Sequence, residues 1–359
     1  MRVHDAQAAL TEGNALHASG QVEEAIAAYR RAIGHDERFT AAYYNLGLTL
    51  RRAQDYRGAA LAFRTAARLE PHDFEATHKV VATLAEAVHA GVQPFAESAL
   101  PGDDASWREG VSIVVCSIDE ARLARMRSSF TTALTGRDHE FIVIRDARSL
   151  AEAYTRALDL CRHEIVVFAH DDVELASFRP FDLIAAALQG NDIVGVAGTR
   201  HVCGPAVMWA GHPHVHGWVA YPAREGDAGW DASLFSLEGG LLGGMRALDG
   251  LIFATRREVV RRVGFDAAIF DGFHFYDLDF TYRAWRAGLR LAVCTDVIAI
   301  HASEGHFGAD WQRYAGRFKA KFPELQASVG DYHAYGARFG TREAMLRFYA
   351  ALRGLGTVA

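Results

Sequence analysis

A repeat of 34 residues governs the first ninety residues and limits the fold more than any other sequence feature. Small and aromatic residues recur at this interval in the pairs Gly13/Gly47, Ala25/Ala59, Tyr29/Phe63 and Ala32/Ala66. Small residues at fixed places allow two helices of a hairpin to approach closely, and a ring fills the gap between hairpins. The period therefore predicts stacked helical hairpins.

The second copy, with NLG at 45–47 and LEP at 69–71, resembles the tetratricopeptide consensus. The apolar pattern continues for half a period after Pro71, so residues 1–90 are expected to hold two repeats and a capping helix. Two repeats bury little apolar surface, and the array should pack against the rest of the chain. It would serve either as a support or homodimer surface, or as a groove that selects a protein or peptide acceptor.

A different pattern begins at Val111, after a linker at 91–110 that contains Pro and Gly. The apolar, β-branched run VSIVVCSI predicts a strand buried on both faces of a sheet. Further strands, FIVIRD and EIVVFAHDD, alternate with helical segments, which predicts an α/β domain over 111–325. Residues 326–359 are expected to form a C-terminal helical extension. Ligands of such sheets bind beyond the carboxyl ends of the strands.

Charge and cysteine content exclude several classes of protein. With 38 basic and 44 acidic residues the net charge is −6, which argues against a nucleic-acid partner. No dinucleotide fingerprint follows the first strand, and no P-loop motif occurs in the sequence. The 4 cysteines lie far apart, as is typical of reduced thiols, and no apolar stretch reads as a signal peptide or membrane span. We expect a cytoplasmic protein without a membrane span.

The third strand ends in the acidic pair Asp171 and Asp172. Adjacent carboxylates repel each other unless a cation or hydrogen-bond donors compensate. Carboxylate oxygens suit Mg²⁺ or Mn²⁺, and the neighbouring His170 favours the transition metal.

The order of these strands and acidic residues along the chain is also informative. VSIVVCS, FIVIRDARS and AYTRALDLCRHEIVVFAHDDVEL resemble the nucleotide-binding half of family-2-type glycosyltransferases of the GT-A fold. The later run from ALDGLIFATRR to AIHASEGHF resembles their acceptor half. The resemblance covers about residues 111–322 and implies an open mixed sheet flanked by helices. It also implies an inverting, metal-dependent transferase that uses a nucleotide sugar, with a UDP-sugar favoured.

The resemblance also assigns donor-binding roles. Cys116, Ser117 and Asp146 would line the nucleoside pocket. His170 stands where the family has the first Asp of its D-x-D motif and is counted with the donor-binding residues, and Asp171 could supply the ribose contact.

The same resemblance implies which residues bind the metal ion and which residue is the catalytic base. Asp172 matches the second Asp of D-x-D and would bind the ion together with His301. Asp277 matches the acid that deprotonates the acceptor, and Tyr276 stands before it where Glu is frequent. Asp279 is a competing acceptor-side residue, but an acid in the first turn of a helix is also expected simply as a cap.

Two further segments have open alternatives. Asp249 and Gly250 follow a glycine-rich run, and the resemblance implies a contact with the acceptor or the donor sugar there, unless they form an ordinary turn. Arg313 and Arg317 lie on a predicted helix that would close over the diphosphate or be a solvated face.

Alternating histidines at 212, 214 and 216 are a third open case. His212, His214 and His216 would face one side of a strand, as zinc ligands or as acceptor-pocket lining, although Pro213 disrupts a regular strand.

Two other functions stay open from the sequence. The acceptor could be a free or lipid-linked saccharide rather than a protein. The departures at Thr155, His170 and Tyr276 also fit a non-catalytic scaffold with a degenerate transferase domain.

Overall fold

The computed structural model describes residues 2–96, 109–204, 210–211, 213–223, 228–303, 307–325 and 333–358. The chain divides into two compact units, Met1–Ser98 with Tyr335–Ala359, and Ala99–Ala334. Within the described ranges, no helix combines the length and apolar character that crossing a bilayer requires.

The first unit begins with consecutive helices that pack as hairpins. These helices are α1 (Arg2–Ala18), α2 (Val22–His35), α3 (Thr40–Arg52), α4 (Tyr56–Leu69) and α5 (Phe74–His89). The repeat explains the packing, because a Cβ on Gly13 would lie 2.6 Å from the ring of Tyr29, and one on Gly47 would lie 2.7 Å from the ring of Phe63. The predicted helical repeat region is confirmed.

The C-terminal segment belongs to this same unit and consists of β14 (Tyr335–Phe339) and α12 (Arg342–Gly356). Both elements pack on α5, where the rings of His78 and Tyr335 are 4.9 Å apart. The guanidinium of Arg64 on α4 donates to the carbonyl oxygen of Val358 at 2.8 Å. A strand and a helix therefore cover the end of the short array, where the sequence had predicted a purely helical extension.

The second unit is built of strands alternating with helices. Its helices are α6 (Glu120–Ala133), α7 (Leu150–Ala157), α8 (Pro180–Gly190), α9 (Arg257–Val263), α10 (Tyr276–Arg286) and α11 (Ala309–Lys321). Its strands are β1 (Val111–Cys116), β2 (His139–Ile144), β3 (Ile165–Ala169), β4 (Val173–Leu175), β5 (Ile193–Gly195), β6 (Ala197–Thr199), β7 (Val215–Pro222), β8 (Trp230–Leu234), β9 (Leu241–Met245), β10 (Ala247–Leu248), β11 (Ile252–Arg256), β12 (Leu291–Cys294) and β13 (Ala299–His301).

The main sheet has the order β2-β1-β3-β11-β5-β12-β9. Strand β1 runs parallel to β2 and β3, whereas β11 is antiparallel to β3, so the sheet is mixed and open as expected. Val111, Ile113 and Val115 enter the core on one face and Val114 enters it on the other, which confirms that β1 is buried on both faces. A second sheet has the order β10-β6-β7-β13-β4, and β8 pairs with β7 beside this series.

Candidate functional site

Three strands end at the centre of the candidate site. Ser117 follows β1, and the sequence His170-Asp171-Asp172 follows β3. The pairing of β13 with β4 places His301 opposite Val173, next to Asp172. Residues distant in sequence therefore meet because strand ends and strand register bring them together.

His170, Asp172 and His301 form a cluster whose nearest ligand atoms all lie within 4.8 Å of one another. Nε2 of His301 is 3.3 Å from Oδ1 of Asp172. The hydroxyl of Ser303 donates to Oδ2 of Asp172 at 2.6 Å and so orients the carboxylate. Among the residues with described positions, this is the one group that could hold a metal ion.

The protonation states of Asp172 and His170 fit a divalent cation. Burial alone would raise the pKa of Asp172, but the hydrogen bond and charge of His301, with the hydroxyl of Ser303, hold this pKa below its ordinary value. Burial and the nearby His301 lower the pKa of His170. An ionised carboxylate and a neutral imidazole are the forms that bind metal. Two imidazoles with a carboxylate suit a transition-metal ion better than Mg²⁺.

A second centre lies at the start of α10, where Asp277 accepts a hydrogen bond from the backbone N–H of Gly250 at 2.6 Å. Asp277 is only partly buried, so a substrate can reach it. Burial and the charge of Asp249 nevertheless raise the pKa of Asp277 to about 7. The carboxyl can therefore exchange a proton near neutral pH.

The helix that carries Asp277 begins in an unusual way. Phe275 caps it with φ 64°, a left-handed conformation that is uncommon for a residue with a bulky side chain. Its ring is held 5.3 Å from that of Trp311 and 5.6 Å from that of Phe318, both on α11. Packing against α11 thus supports the turn that aims the first residues of α10.

The two centres are joined by the loop before β11. The backbone N–H of His170 donates to the carbonyl oxygen of Leu251 at 3.1 Å, and Oδ1 of Asp249 accepts from the N–H of Leu251 at 2.8 Å. Asp249 and Gly250 therefore form a tight turn, and this turn lies between the potential metal-binding cluster and Asp277.

The expected donor-binding residues lie in different surroundings. Ser117 donates to Oδ2 of Asp171 at 2.6 Å, which places both beside the cluster. Cys116 is partly buried, and burial raises the pKa of its thiol to about 12, so it stays neutral. Asp146 is exposed and forms a bidentate ion pair with Arg156, at 2.9 and 3.1 Å, which lowers the pKa of Asp146.

Asp279 is occupied by an internal ion-pair network. Its side chain is fully buried, Nε of Arg283 contacts Oδ2 at 2.8 Å, and Nζ of Lys321 contacts Oδ1 at 2.5 Å. Both carboxylate oxygens of Asp279 are therefore engaged by cations of its own fold, the helix is capped by Phe275, and the acceptor contact of Asp279 stays a prediction. Lys321 also contacts Oδ2 of Asp266 at 2.7 Å, which joins the loop before α10 to the same network.

The two arginines that were predicted to close over the diphosphate or to face solvent contact nearby residues of the protein. Arg317 donates to the carbonyl oxygen of Ile269 at 2.6 Å and pairs with Asp271, while Arg313 pairs with Asp310. Both arginines lie on α11, as the sequence predicted.

Two of the three alternating histidines, His214 and His216, contact different residues in the structure. The ring of His214 lies 4.8 Å from that of His201, and Nδ1 of His216 lies 3.2 Å from the hydroxyl of Ser236. Neither His214 nor His216 belongs to a described group that could hold a metal, and His212 lies outside the described residues.

Sequence reasoning missed two contributors and gave a third a different role. His170 lies with the residues that could hold a metal, although it was expected among the donor-binding residues. Ser303, two residues after His301, and Tyr276, which contacts His170, were not expected to orient ligands. The H-x-S spacing after β13 is the signal that could have found Ser303.

Comparison with known families agrees with this architecture. A model of the glycosyltransferase-like family matches residues 112–322, over half of the chain. Two tetratricopeptide models match residues 13–53 and 40–73. These matches confirm the predicted glycosyltransferase domain and its N-terminal repeats. No curated protein matches the sequence.

Solved structures give more distant similarities. One is GalNAc-T7 with UDP, GalNAc and Mn²⁺, at 12% identity and a TM-score of 0.40, covering 63% of this chain and 53% of that one. The chain thus matches about half the length of that protein. Another is the mannosyltransferase PcManGT from Pyrobaculum calidifontis with GDP-Man and Mn²⁺, at 14% identity and a TM-score of 0.38, covering 84% and 81% of the two chains.

Proposed function

This chain belongs to the glycosyltransferase-like family, and on that premise we propose that it transfers a sugar, with inversion, from a nucleotide sugar to an acceptor. A UDP-sugar is the favoured donor, and a protein or peptide recognised by the repeats is the favoured acceptor. The observation that carries the proposal is the turn at Asp249 and Gly250, which lies between a potential base, Asp277, and the cluster of His170, Asp172 and His301.

Asp277 acts as the general base. Its carboxylate takes the proton of the acceptor nucleophile while the new bond to the anomeric carbon forms and the bond to the diphosphate oxygen breaks. A pKa raised to about 7 suits this task, because the group is a stronger base than an ordinary aspartate and about half of it is still ionised at neutral pH. The N–H of Gly250 holds one carboxylate oxygen and so fixes its direction.

The cluster of His170, Asp172 and His301 would hold Mn²⁺ or Mg²⁺. When bound, such an ion supplies positive charge that stabilises the departing diphosphate. Ser303 keeps the carboxylate of Asp172 in place, and Ser117 does the same for Asp171. An acidic strand end can accept an anionic donor only when this charge is balanced.

A panel of nucleotide sugars incubated with the protein and Mn²⁺ tests the proposal through release of the nucleoside diphosphate. We expect one donor to be consumed, with its rate increased by the acceptor, and the rate to be lost in Asp277→Asn. The exposed Asp159→Asn is the matched control and should behave as wild type. Equal turnover in Asp277→Asn and wild type would overturn the assignment of the base.

A further inference from the structure

The hydroxyl of Tyr276 occupies a central place between the two halves of the site. The residue is 3% exposed, and its oxygen lies 3.1 Å from Nε2 of His170 and 3.3 Å from the carbonyl oxygen of Gly250. The same Gly250 donates its N–H to Asp277. Tyr276 therefore touches both a metal-binding residue and the peptide that holds the base.

The directions of these two hydrogen bonds are linked through the hydroxyl of Tyr276. A tyrosine hydroxyl has one hydrogen, and the carbonyl oxygen of Gly250 can only accept. If Tyr276 donates to Gly250, its oxygen is left to accept from Nε2–H of His170. This tautomer leaves the lone pair of Nδ1 on His170 for a cation, whereas the opposite tautomer would present an N–H there.

Close packing keeps the hydroxyl in this position. A Cβ on Gly250 would lie 2.1 Å from the hydroxyl oxygen of Tyr276. The ring of Tyr276 packs edge-on against Tyr154, with centroids 5.4 Å apart, and also contacts Phe265. Tyr276 cannot move away without displacing the buried rings behind it.

We infer that Tyr276 is a positioning residue that selects the Nε2–H tautomer of His170 and links the metal-binding cluster to the loop that holds Asp277. The inference rests on the proposed function, since it assigns His170 to the cation. A hydrogen bond to the second nitrogen of a metal-binding histidine fixes the orientation of the ring and strengthens the ligand.

Direct titration of the full-length protein with Mn²⁺, without nucleotide, tests this role in Tyr276→Phe. The substitution removes one oxygen and keeps the ring. We expect Mn²⁺ affinity to fall by about 10- to 100-fold, in the range seen for such outer partners. Tyr282→Phe, on the same helix and packed against Phe322, is the matched control and should bind Mn²⁺ as wild type does.

Thermal unfolding without metal separates this role from a purely structural one. Both variants should unfold close to wild type, so that a loss confined to Mn²⁺ affinity identifies positioning of His170. Unchanged affinity in Tyr276→Phe overturns the inference and leaves the proposed function standing. Absence of Mn²⁺ binding in the wild type overturns both the inference and the metal dependence of the proposed function.

Discussion

At the scale of single residues, the pKa of Asp277 sets the pH dependence. Burial and the charge of Asp249 raise this pKa to about 7. Because a base accepts a proton only when ionised, we expect kcat/KM to rise with pH and to reach half its plateau near pH 7. Asp249→Asn removes the neighbouring charge and should move the midpoint to lower pH. Initial rates at a series of pH values measure both, and identical midpoints would contradict the electrostatic coupling.

Asp277→Asn should separate activity from stability. We expect the transfer rate to fall by roughly 10²–10⁴-fold, as is typical when a general base is removed.

The same substitution should change how stability depends on pH. Because folding raises the pKa of Asp277, its protonated carboxyl favours the folded state. This contribution to the free energy of unfolding is fully present below the pKa of the unfolded chain and is lost as pH rises through about 7. Denaturant unfolding should therefore show a smaller loss of stability between acidic and alkaline pH in Asp277→Asn than in wild type. An equal pH slope in both proteins would count against a perturbed carboxyl.

A glycine is required at position 250 because there is no room for a side chain, and not because of the backbone conformation there. A methyl group there would overlap the hydroxyl of Tyr276 and come within 2.9 Å of Asp277, so Gly250→Ala should reduce both activity and thermal stability. In contrast, nothing lies within 4 Å of a Cβ on Gly316 in α11, and Gly316→Ala should stabilise the helix by about 0.5–1 kcal/mol. Melting temperatures and transfer rates of the two variants test the contrast. A Gly250→Ala protein with wild-type activity would contradict the packing described here.

At the scale of elements, the buried charges between α10 and α11 hold these helices together. Lys321→Ala leaves the fully buried Asp279 with Arg283 as its remaining described cation, and we expect a loss of about 2–3 kcal/mol in the free energy of unfolding. Lys79 pairs with Glu75 on the surface of α5, and Lys79→Ala should cost no more than about 0.5 kcal/mol. Urea unfolding measures both values. Equal losses would indicate that burial does not strengthen the Asp279 network.

The same elements explain what could be predicted from the sequence. Asp172 follows β3 and His301 is the last residue of β13, and the position of a strand end is a local property of an apolar run. The role of Asp279 depends on Lys321, 42 residues further along the chain, and the contact of Tyr276 with His170 spans 106 residues. Such contacts arise from tertiary packing, so the pattern of α10 alone suggested a cap or an acceptor contact.

At the scale of the whole molecule, two local sequence patterns predicted where the helical repeats end and the alternating strands and helices begin. The 34-residue period and the apolar run at Val111 are both readable over a few dozen residues. The return of β14 and α12 to the first unit could not be predicted in this way, because it depends on contacts such as that of Arg64 with Val358, which are 294 residues apart. A chain with net charge −6 would also repel an anionic donor without a cation at the site.

Calorimetric titration with UDP, in the presence and absence of Mn²⁺, tests the central claim most directly. The wild type should bind UDP with Mn²⁺ and bind it far more weakly without the ion, while Asp172→Ala should lose the Mn²⁺-dependent part of the affinity. UDP affinity that is the same with and without Mn²⁺, or an absence of nucleotide binding under both conditions, would contradict a metal-dependent nucleotide-sugar site and favour a non-catalytic scaffold.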